Sequence, residues 1–487
     1  MIKKIVFYLL CSLPVWLSAQ YDAPLRIELE CAKDQNDYHF IAADTNGLFV
    51  IYEGNDLSPD TTTWVFVHYD TNFQKIAHFI IPMPTLTEYI SAAQSEHFVY
   101  FLFQKRFPKK EPVQTLLLTI DLKNFSYNLQ RINNLTNPKL TKLWAMDNHI
   151  ALLAEEEKQD HLYFYDFFQK NHQEITNGTD YRIEFCEPDT VHYSWLIGLK
   201  EGKLNQYSNM HIYKFDIQDN TIHHYLLPPT QDITYNSLRA IVINADTTLL
   251  LGTYNNQQDK HSSQLHSGVF TIVWNDTLFS YPKFFSYSGL KSQTAQSKKN
   301  DVSALNLQLL IAPTAHGKGQ YTFITEVFYP EYNYQSSYYD DFGYGFGTNH
   351  YSGTTFAGYK FLNAYITTFD PSGNLLWDNF FPLSNNLTQS LRTHLSIHYL
   401  GQEALILYPR NNHIINTLLK NGETIIKLSA FPIETNSSRD VVEYNRHTQI
   451  QFWYGNNFII SGYQYLYTKG KRNDKRYVFF LNKVQYW

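Results

Sequence analysis

The side chains best suited to binding chemistry lie in a tyrosine- and glycine-rich segment of the second half of the chain. Residues 328–353 read FYPEYNYQSSYYDDFGYGFGTNHYSG. Aromatic faces stack on sugar rings or on protein partners, and tyrosine gives a large contact area at a low entropic cost. The residues predicted to bind a ligand are Tyr332, Tyr334, Tyr338, Tyr339, Asp340, Asp341, Tyr344 and His350.

The same segment has a purely structural interpretation. Residues 329–358 form an insertion in an otherwise regular pattern, and a long hairpin extension that folds over one face of the protein would bury its own tyrosines. Long loops in compact domains are usually functional or disordered. Both the binding and the structural interpretation therefore stay open at this point.

Other chemistries lack their motifs. Asp341-Phe342-Gly343 spells a kinase triplet, but neither a catalytic loop nor a paired lysine accompanies it. The 19 histidines include no HExxH motif, and His223 and His224 would point to opposite faces of a strand. There is no Gly-x-Ser-x-Gly elbow. We predict no catalytic residue, no metal site and no cofactor.

The composition favours β-structure. Of the 487 residues, 38 are Tyr and 34 are Phe, and aromatic residues pack well on pleated, half-buried surfaces. Charged residues make up 17% of the chain and the formal net charge is -6. Such a balance gives no general attraction for nucleic acids or for anionic membranes.

The N-terminus has the pattern of a secretory signal peptide. Lys3-Lys4 precedes an apolar run from Ile5 to Leu17, and Ser18-Ala19 offers a cleavage site before Gln20. We predict a signal peptide at 1–19, a mature domain at 20–487, and a periplasmic or extracellular location that leaves surface association open. Acylation at Cys11 is the alternative, although the bulky Leu10 precedes it. No later run has the 18 apolar residues of a membrane helix.

A repeated hairpin gives the architecture that must position these residues. In Leu362–Leu383 an alternating strand ends at Phe369, Asp370-Pro371-Ser372-Gly373 reverses the chain, and a second strand follows. Weaker copies carry an acidic or amide residue at the turn. These turn residues are Asp70, Asp121, Asp166, Asp216, Asn275 and Asp370. A period of roughly 50 residues in a β-rich chain indicates propeller blades.

Each repeat holds four apolar runs, so the fold class is all-β, a single closed β-propeller of eight four-stranded blades, with seven blades as the alternative. The last blade, from Gln449 to Val484, shows only three runs. Leu25–Glu30 alternates apolar and polar residues, and we predict that it supplies the missing strand and closes the ring, because closure protects strand edges. The predicted blades are 38–81, 89–132, 140–175, 181–227, 237–287, 307–383, 394–431 and 449–484.

This arrangement separates the two cysteines that remain after cleavage. Cys31 lies beside the first and last blades and Cys186 lies in the fourth. Their Cα atoms are then well beyond the ~7 Å that a disulfide tolerates. We predict no disulfide and two mostly buried thiols.

The hairpin at Tyr365–Phe380 resembles the repeat of quinoprotein-type (PQQ-like) propellers, in which an apolar strand ends in Asp, a Gly turn follows, and the next strand carries Trp, here Trp377. The resemblance implies the propeller fold. No activity is carried over, because the cofactor-binding acids and catalytic pairs of the dehydrogenase members cannot be mapped onto positions of this sequence.

Together these patterns predict an exported, non-catalytic propeller that binds a protein or glycan partner through its loop face. The competing hypothesis is a carbohydrate-active enzyme with an acidic site on the propeller axis. Propeller sites are assembled from residues of different blades, so spacing along the chain cannot decide between the two.

Overall fold

The computed structural model consists of eight four-stranded antiparallel sheets that form the blades of a closed β-propeller. The prediction of eight blades is confirmed. The structure describes residues 25–32, 38–105, 113–133, 135, 139–155, 160–167, 172–175, 181–201, 209–256, 267–287, 290, 308–316, 319–336, 352–388 and 391–486.

Seven blades are each built from four consecutive strands, and the first strand of the chain, β1 (Leu25–Cys31), belongs to the eighth. Blade 1 holds β2 (Tyr38–Ala42), β3 (Leu48–Ser58), β4 (Thr61–Tyr69) and β5 (Lys75–Pro84). Blade 2 holds β6 (Thr87–Gln94), β7 (Phe98–Lys105), β8 (Gln114–Asp121) and β9 (Tyr127–Ile132). Blade 3 holds β10 (Leu140–Met146), β11 (His149–Glu155), β12 (Asp160–Asp166) and β13 (His172–Ile175). Blade 4 holds β14 (Tyr181–Asp189), β15 (Ser194–Glu201), β16 (Met210–Asp216) and β17 (Thr221–Leu226).

The remaining blades follow the same order. Blade 5 holds β18 (Ile233–Asn244), β19 (Thr247–Asn256), β20 (Gly268–Trp274) and β21 (Lys283–Ser286). Blade 6 holds β22 (Gln308–His316), β23 (Gln320–Ser336), β24 (Ser352–Phe369) and β25 (Leu375–Thr388). Blade 7 holds β26 (Ser396–Leu400), β27 (Glu403–Arg410), β28 (His413–Lys420) and β29 (Glu423–Pro432). Blade 8 holds β30 (Asp440–Tyr454), β31 (Asn457–Thr468), β32 (Lys471–Gln485) and β1.

Burial follows the position of a strand within its blade. Middle strands such as β4 are covered on both faces by neighbouring blades and are almost wholly buried. The last strand of a blade is exposed, as in β29. The first strands lie nearest the axis, since those of neighbouring blades contact one another. Near-continuous apolar runs therefore mark middle strands, as they do in other sheets that are buried on both faces.

The core is divided into eight apolar clusters, and each of them lies between two adjacent blades. Between blades 1 and 2, Phe66 meets Phe101 edge-to-face with ring centroids 5.2 Å apart, and Trp64 meets Phe103 at 4.9 Å. Aromatic pairs in this geometry contribute about 0.5–1.5 kcal/mol beyond the area they bury. The blades are thus held together chiefly by side-chain packing.

The first and last strands of the described chain close the ring. β1 pairs antiparallel with β32 from Leu25↔Lys483 to Cys31↔Tyr477, which confirms the predicted closure. The Trp453 indole donates to the Gly47 carbonyl at 3.2 Å, and the Lys483 ammonium donates to the Thr71 carbonyl at 2.8 Å. Blade 8 is thereby fixed to blade 1 by strand pairing, packing and hydrogen bonds.

One face of the ring, which we call the turn face, carries the connections between strands 1 and 2 and between strands 3 and 4 of each blade. These connections run from two residues, as at 421–422, to eight, as at 275–282. The predicted turn aspartates lie here, and three of them accept backbone hydrogen bonds from two residues further along the chain. The Asp70, Asp121 and Asp216 carboxylates accept the N–H groups of Asn72, Lys123 and Gln218 at 2.8, 2.7 and 2.9 Å.

The opposite face, which we call the loop face, carries the connections between strands 2 and 3 and those from blade to blade. The three connections longer than eight residues between described strands are 257–267, 287–307 and 337–351, and each of them joins strand ends on this face. The described part of the tyrosine-rich insertion is therefore on the loop face.

Some sequence expectations needed correction. Blade 8 begins at Asp440 and not at Gln449, because a bulge interrupts the alternation of β30. Cys186 is fully buried, as predicted, but Cys31 is only half-buried. The two cysteines lie in different blades. No helix in the described ranges is long and apolar enough to cross a membrane.

Candidate functional site

Blade 6 carries a projecting two-stranded ribbon. β22 pairs with β23 only up to Phe328, and β25 pairs with β24 only from Tyr359 onward. Beyond these points β23 and β24 pair with each other alone, from Glu331↔Gly358 to Ser336↔Ser352. We call residues 329–336 and 352–358 the blade 6 ribbon. It extends the blade on the loop face.

One side of this ribbon presents exposed aromatic rings. Tyr332 is 47% exposed and its cross-strand partner Phe356 is 43% exposed. Their ring centroids lie 5.8 Å apart in an edge-to-face arrangement, and Phe356 meets Tyr359 at 5.0 Å. On the other side, Lys360 forms a 3.3 Å ion pair with Glu331. The aromatic side therefore presents two contacting rings, each of which is exposed over nearly half of its surface.

The predicted site residues have different outcomes. Tyr332 belongs to the exposed aromatic row. Tyr334 is placed in β23 opposite Thr354. Tyr338, Tyr339, Asp340, Asp341, Tyr344 and His350 lie outside the described residues. The described part of the insertion is a hairpin extension, as the structural interpretation expected, yet it leaves Tyr332 exposed.

A pocket of about 530 Å³ lies beside the base of the ribbon on the loop face. Three blades line it. They contribute Leu387 and Thr388 at the end of β25, Pro409 of β27 with Asn411 and Asn412 of the following turn, and residues 442–448 of β30. The ribbon and the pocket adjoin, because Tyr359 and Lys360 at the base of the ribbon pair with Thr388 and Leu387.

The pocket wall from blades 7 and 8 is rich in amides. The Asn445 side-chain amide donates to the Asn411 carbonyl at 2.7 Å and to Asn412 Oδ1 at 3.2 Å. Asn445 Oδ1 and Thr448 Oγ1 are buried without a hydrogen-bond partner among the described residues. A buried polar atom left in this state costs about 1–3 kcal/mol. Both atoms lie behind the surface of the pocket wall, out of contact with solvent.

A β-bulge shapes the same wall. The pairing of β30 with β31 shifts register between Arg446 and Gln449, and His447 has a left-handed φ of 52°. Gly462 makes this possible, since a Cβ there would lie 3.0 Å from Thr448 Cα and 3.1 Å from the Arg446 carbonyl oxygen. Bulges of this kind re-aim side chains next to functional sites. Burial, Arg446 and Arg392 all lower the pKa of His447, so its imidazole is neutral at pH 7.

Arg392 links the bulge to the propeller axis. It lies in the connection between blades 6 and 7, and its guanidinium donates to Gln449 Oε1 at 2.9 Å. His39 of β2 stacks on Tyr89 of β6 with ring centroids 4.2 Å apart, and both residues lie on first strands. The positive charge of Arg392 acts to lower the pKa of each of them. Burial, with a further contribution from Arg392, lowers the pKa of His39 to about 4. This end of the site is therefore cationic and aromatic.

A buried carboxylate fixes the connection that carries Arg392. Glu326 of β23 is fully buried and accepts the N–H groups of His394, at 2.9 and 3.0 Å, and of Leu395 at 2.7 Å. Burial raises the pKa of Glu326 to about 7, although the two backbone donors act to lower it. Blade 6 thus supplies the ribbon, one wall of the pocket and the anchor of Arg392.

Acidic side chains also lie on the first strand of blade 4. Burial raises the pKa values of Glu184 and Glu187 of β14. The positive charges of Lys200 and Arg239 act to lower the pKa of Glu184. Those of Lys142 and Arg239 act to lower the pKa of Glu187. Buried acids offset by cations in this way form a charge network beside the axis.

Sequence reasoning missed the pocket. Asn411, Asn412, Asn445, Arg446 and His447 come from two blades and share no motif. One local sign was present: Val441-Val442-Glu443-Tyr444 reads as a strand start, yet the alternation breaks before Gln449. A break inside a β-rich run is the sequence mark of a bulge.

No protein-family model matches the sequence, and neither does any curated protein. Among solved structures, the chain is similar to the β-propeller domain of the Trilobed protease from Pyrococcus furiosus, with 9% identity, a TM-score of 0.40 and coverage of 82% of this chain and 95% of that one. The chain is also similar to an oligogalacturonate lyase in complex with manganese, with 9% identity, a TM-score of 0.40 and coverage of 92% of this chain and 98% of that one. For the acylaminoacyl peptidase of Pyrococcus horikoshii, the identity is 8%, the TM-score is 0.38, and the match covers 80% of this chain and 52% of that one.

These likenesses carry no information on what this chain binds or on whether it catalyses a reaction. The resemblance to the quinoprotein-type repeat stays a prediction.

Proposed function

We propose that this protein is an exported, non-catalytic propeller that binds a glycan or a protein partner through its loop face. The observation that carries the proposal is the exposed Tyr332–Phe356 pair beside a pocket whose wall holds buried polar atoms without partners. Binding sites commonly combine an aromatic or apolar surface with a few converging polar groups.

The experiment compares aromatic residues of the two faces. Mature protein from Gln20, a Tyr332→Ala/Phe356→Ala variant and a Tyr281→Ala variant are applied to a glycan array and to envelope and culture-medium fractions. Tyr281 is 93% exposed and lies on the turn face, so it controls for the loss of an exposed ring. We expect the double variant to lose its ligands and Tyr281→Ala to keep them. Unchanged capture by the double variant contradicts the proposal.

Glu184 and Glu187 favour a second candidate, a carbohydrate-active enzyme with an axial site. A carboxyl group with a raised pKa is suited to act as a general acid. Screening for turnover of polysaccharides tests it: wild-type activity that Glu187→Gln abolishes in a folded protein would displace the binding proposal.

The proposed location rests on the signal at 1–19, which lies outside the described residues. Fractionation of cells and N-terminal sequencing of the mature protein test it. A mature chain that begins at Gln20 in the periplasm or medium is the expected result, and an uncleaved cytoplasmic chain contradicts it.

A further inference from the structure

We infer that the ligand of the loop-face pocket is an uncharged saccharide, whose hydroxyl groups pair with the polar side chains of Asn411, Asn412 and His447. All three residues line the pocket. The inference rests on the proposed function and narrows it to one class of ligand.

Two side-chain amides of the lining have hydrogen-bonding groups to spare. Asn412 Oδ1 accepts the Asn445 amide at 3.2 Å and the Gln464 amide at 3.1 Å, which leaves the Asn412 Nδ2 hydrogens for another acceptor. That nitrogen has no partner in the described part of the chain, and it is not buried. The Asn411 side chain is exposed and forms no hydrogen bond with a described residue. Both amides are uncharged and open to a ligand.

The imidazole of His447 adds a donor and an acceptor to the same lining. Burial, Arg446 and Arg392 lower its pKa, so the ring is neutral at pH 7 and has one N–H group and one bare nitrogen. Neither ring nitrogen is buried, and neither has a hydrogen-bond partner among the described residues. A hydroxyl group pairs with either nitrogen, because it both donates and accepts.

The charged side chains of the lining are already engaged within the protein. They belong to Glu443 and Arg446. The Glu443 carboxylate lies 3.7 Å from the Lys475 ammonium, and Arg446 interacts with other residues of the chain. Arg392 donates to Gln449 and is not among the described lining residues. A charged group on the ligand would therefore lose its water without meeting an unengaged counter-ion, which is costly.

The ribbon and the pocket size fit an extended saccharide. Tyr359 pairs with Thr388, which lines the pocket, and its ring meets that of Phe356 at 5.0 Å. The exposed rings of Phe356 and Tyr332 therefore continue from the edge of the pocket along the ribbon, and sugar rings stack on such faces through their C–H groups. A pocket of about 530 Å³ is within the ~300–1,000 Å³ that small-molecule sites occupy. A few sugar units can fill it while the saccharide chain continues along the ribbon.

A glycan array followed by isothermal titration calorimetry tests the class of ligand. Mature protein from Gln20 is applied to an array of neutral, anionic and cationic saccharides. Each captured neutral saccharide is then compared in solution with the same molecule after oxidation of its C6 hydroxyl groups to carboxylates. We expect neutral saccharides to be captured and their oxidised forms to bind about fivefold or more weakly, because the carboxylates lose water without a counter-ion.

Matched glycine variants place the ligand. Asn411 and His447 have left-handed φ angles of 53° and 52°, so Asn411→Gly/His447→Gly removes two polar side chains without straining the backbone. Asn421→Gly is the control, because Asn421 has a φ of 51° and lies in a turn-face connection. We expect the double variant to bind neutral saccharide about tenfold or more weakly, as the loss of two hydrogen bonds implies, and the control to bind like wild type. If the double variant fails to fold, Asn411→Gly alone carries the test with a loss of about threefold, because the Asn411 side chain is exposed.

The outcomes separate this inference from the proposed function. Capture of ionised saccharides alone, or equal or tighter binding of the oxidised forms, overturns the uncharged class and leaves glycan binding intact. Neutral binding that survives Asn411→Gly/His447→Gly overturns the placement of the ligand. Capture of a protein through Tyr332 and Phe356, with no saccharide bound, overturns the saccharide class and leaves the proposed function standing. Capture of neither saccharide nor protein overturns both.

Discussion

The two faces of the ring use their polar side chains differently. On the turn face, Asp70, Asp121 and Asp370 accept hydrogen bonds from the backbone of their own turns, and the Gly47 carbonyl receives the Trp453 indole. On the loop face, Asn445 Oδ1 and Thr448 Oγ1 are buried without a partner. The turn-face aspartates thus fix strand reversals, whereas on the loop face the Glu326 carboxylate fixes a connection between two blades. Buried polar atoms without a partner in the described part of the chain occur on both faces, as at Asn457 Oδ1 on the turn face.

The comparison teaches where this protein should tolerate change. A short turn-face connection must hold one backbone conformation to reverse the chain. A loop-face connection that only joins two blades is constrained at its two ends. We therefore expect substitutions in the turn-face reversals and at the Glu326 anchor to change the free energy of unfolding, and replacement of a loop-face connection between its fixed ends to change it little. Four predictions follow this contrast from the largest expected effect to the smallest.

Gly47→Ala should have the largest effect on stability. Gly47 has a φ of +99°, and a Cβ there would lie 2.0 Å from the Tyr69 carbonyl oxygen, which is backbone and cannot easily move. Backbone strain and the clash together predict a loss of about 3–4 kcal/mol. Denaturant unfolding measures it. Gly401→Ala is the control at the corresponding turn of blade 7, because its φ is +69° but nothing lies within 4 Å; a loss there as large as at Gly47 would refute the role of the clash.

Glu326→Gln should remove a pH dependence that belongs to the loop-face half of blade 6. The folded-state pKa of Glu326 is raised from 4.5 to about 7, so the stability contributed by its proton is present below pH 4.5 and is lost as pH rises through 7. The difference between variant and wild type should grow over that window by on the order of 2–3 kcal/mol in favour of the variant.

Unfolding by denaturant at a series of pH values measures this difference. The pKa of His394 is lowered to about 4, so its contribution to stability has the opposite sign and is lost as pH falls through 4. His394 is present in both proteins, so its contribution largely cancels in the difference between them. Glu331→Gln, further along the same strand, is the matched control. A constant difference between Glu326→Gln and wild type from pH 4.5 to 8 would show that the raised pKa is wrong.

Asp370→Ala should cost about 1 kcal/mol, the usual value of a side chain that caps backbone donors. Its carboxylate accepts the Asn374 N–H and the Asn374 side-chain amide, both at 2.8 Å. Thermal unfolding monitored by circular dichroism measures the loss. Asp219→Ala is an aspartate-to-alanine control in an exposed turn of the same face, and an equal shift in both variants would contradict the capping role.

Replacement of residues 337–351 by a short Gly-Ser linker should change the free energy of unfolding least, by less than about 0.5 kcal/mol. The pair Ser336↔Ser352 already closes the ribbon, so the linker has only a short gap to span, and loop entropy varies slowly with length. Chemical denaturation of both proteins checks this. A loss of several kcal/mol would mean that the segment contributes to the core and that the two faces are not as different as proposed.

The fold could be predicted because its signals are local and repeated. Each turn aspartate marks a strand reversal within a few residues, and the spacing of roughly 50 residues gives the blade count. Closure of the ring by β1 could also be predicted from the sequence. The N-terminal part of the chain offers one alternating strand, and the last blade lacks one strand. The start of β30 was misplaced because the bulge at His447 breaks the alternation on which strand prediction depends.

The candidate site could be predicted only in part, because most of its residues come together through contacts between blades and not through local, repeated signals. Tyr332 was singled out from composition alone, and its role in binding stays a prediction. Asn412, Asn445 and Arg392 meet across blades through ring geometry, and no local pattern encodes that meeting. Glu326 was missed because it is a lone acid in an apolar strand, and its partners are backbone groups 68 and 69 residues further along the chain.

The pairing of β1 with β32 also sets an order in time. Residues 25–31 are synthesised early but acquire their partner, residues 477–483, only when nearly the whole chain has been made. At ~5–20 residues per second, a ribosome needs roughly 20–90 s to make the intervening chain. During that interval β1 has no place in the ring. Closure of the ring therefore has to wait for β32, and a nascent chain arrested before β32 presents an unpaired strand that can pair with another copy.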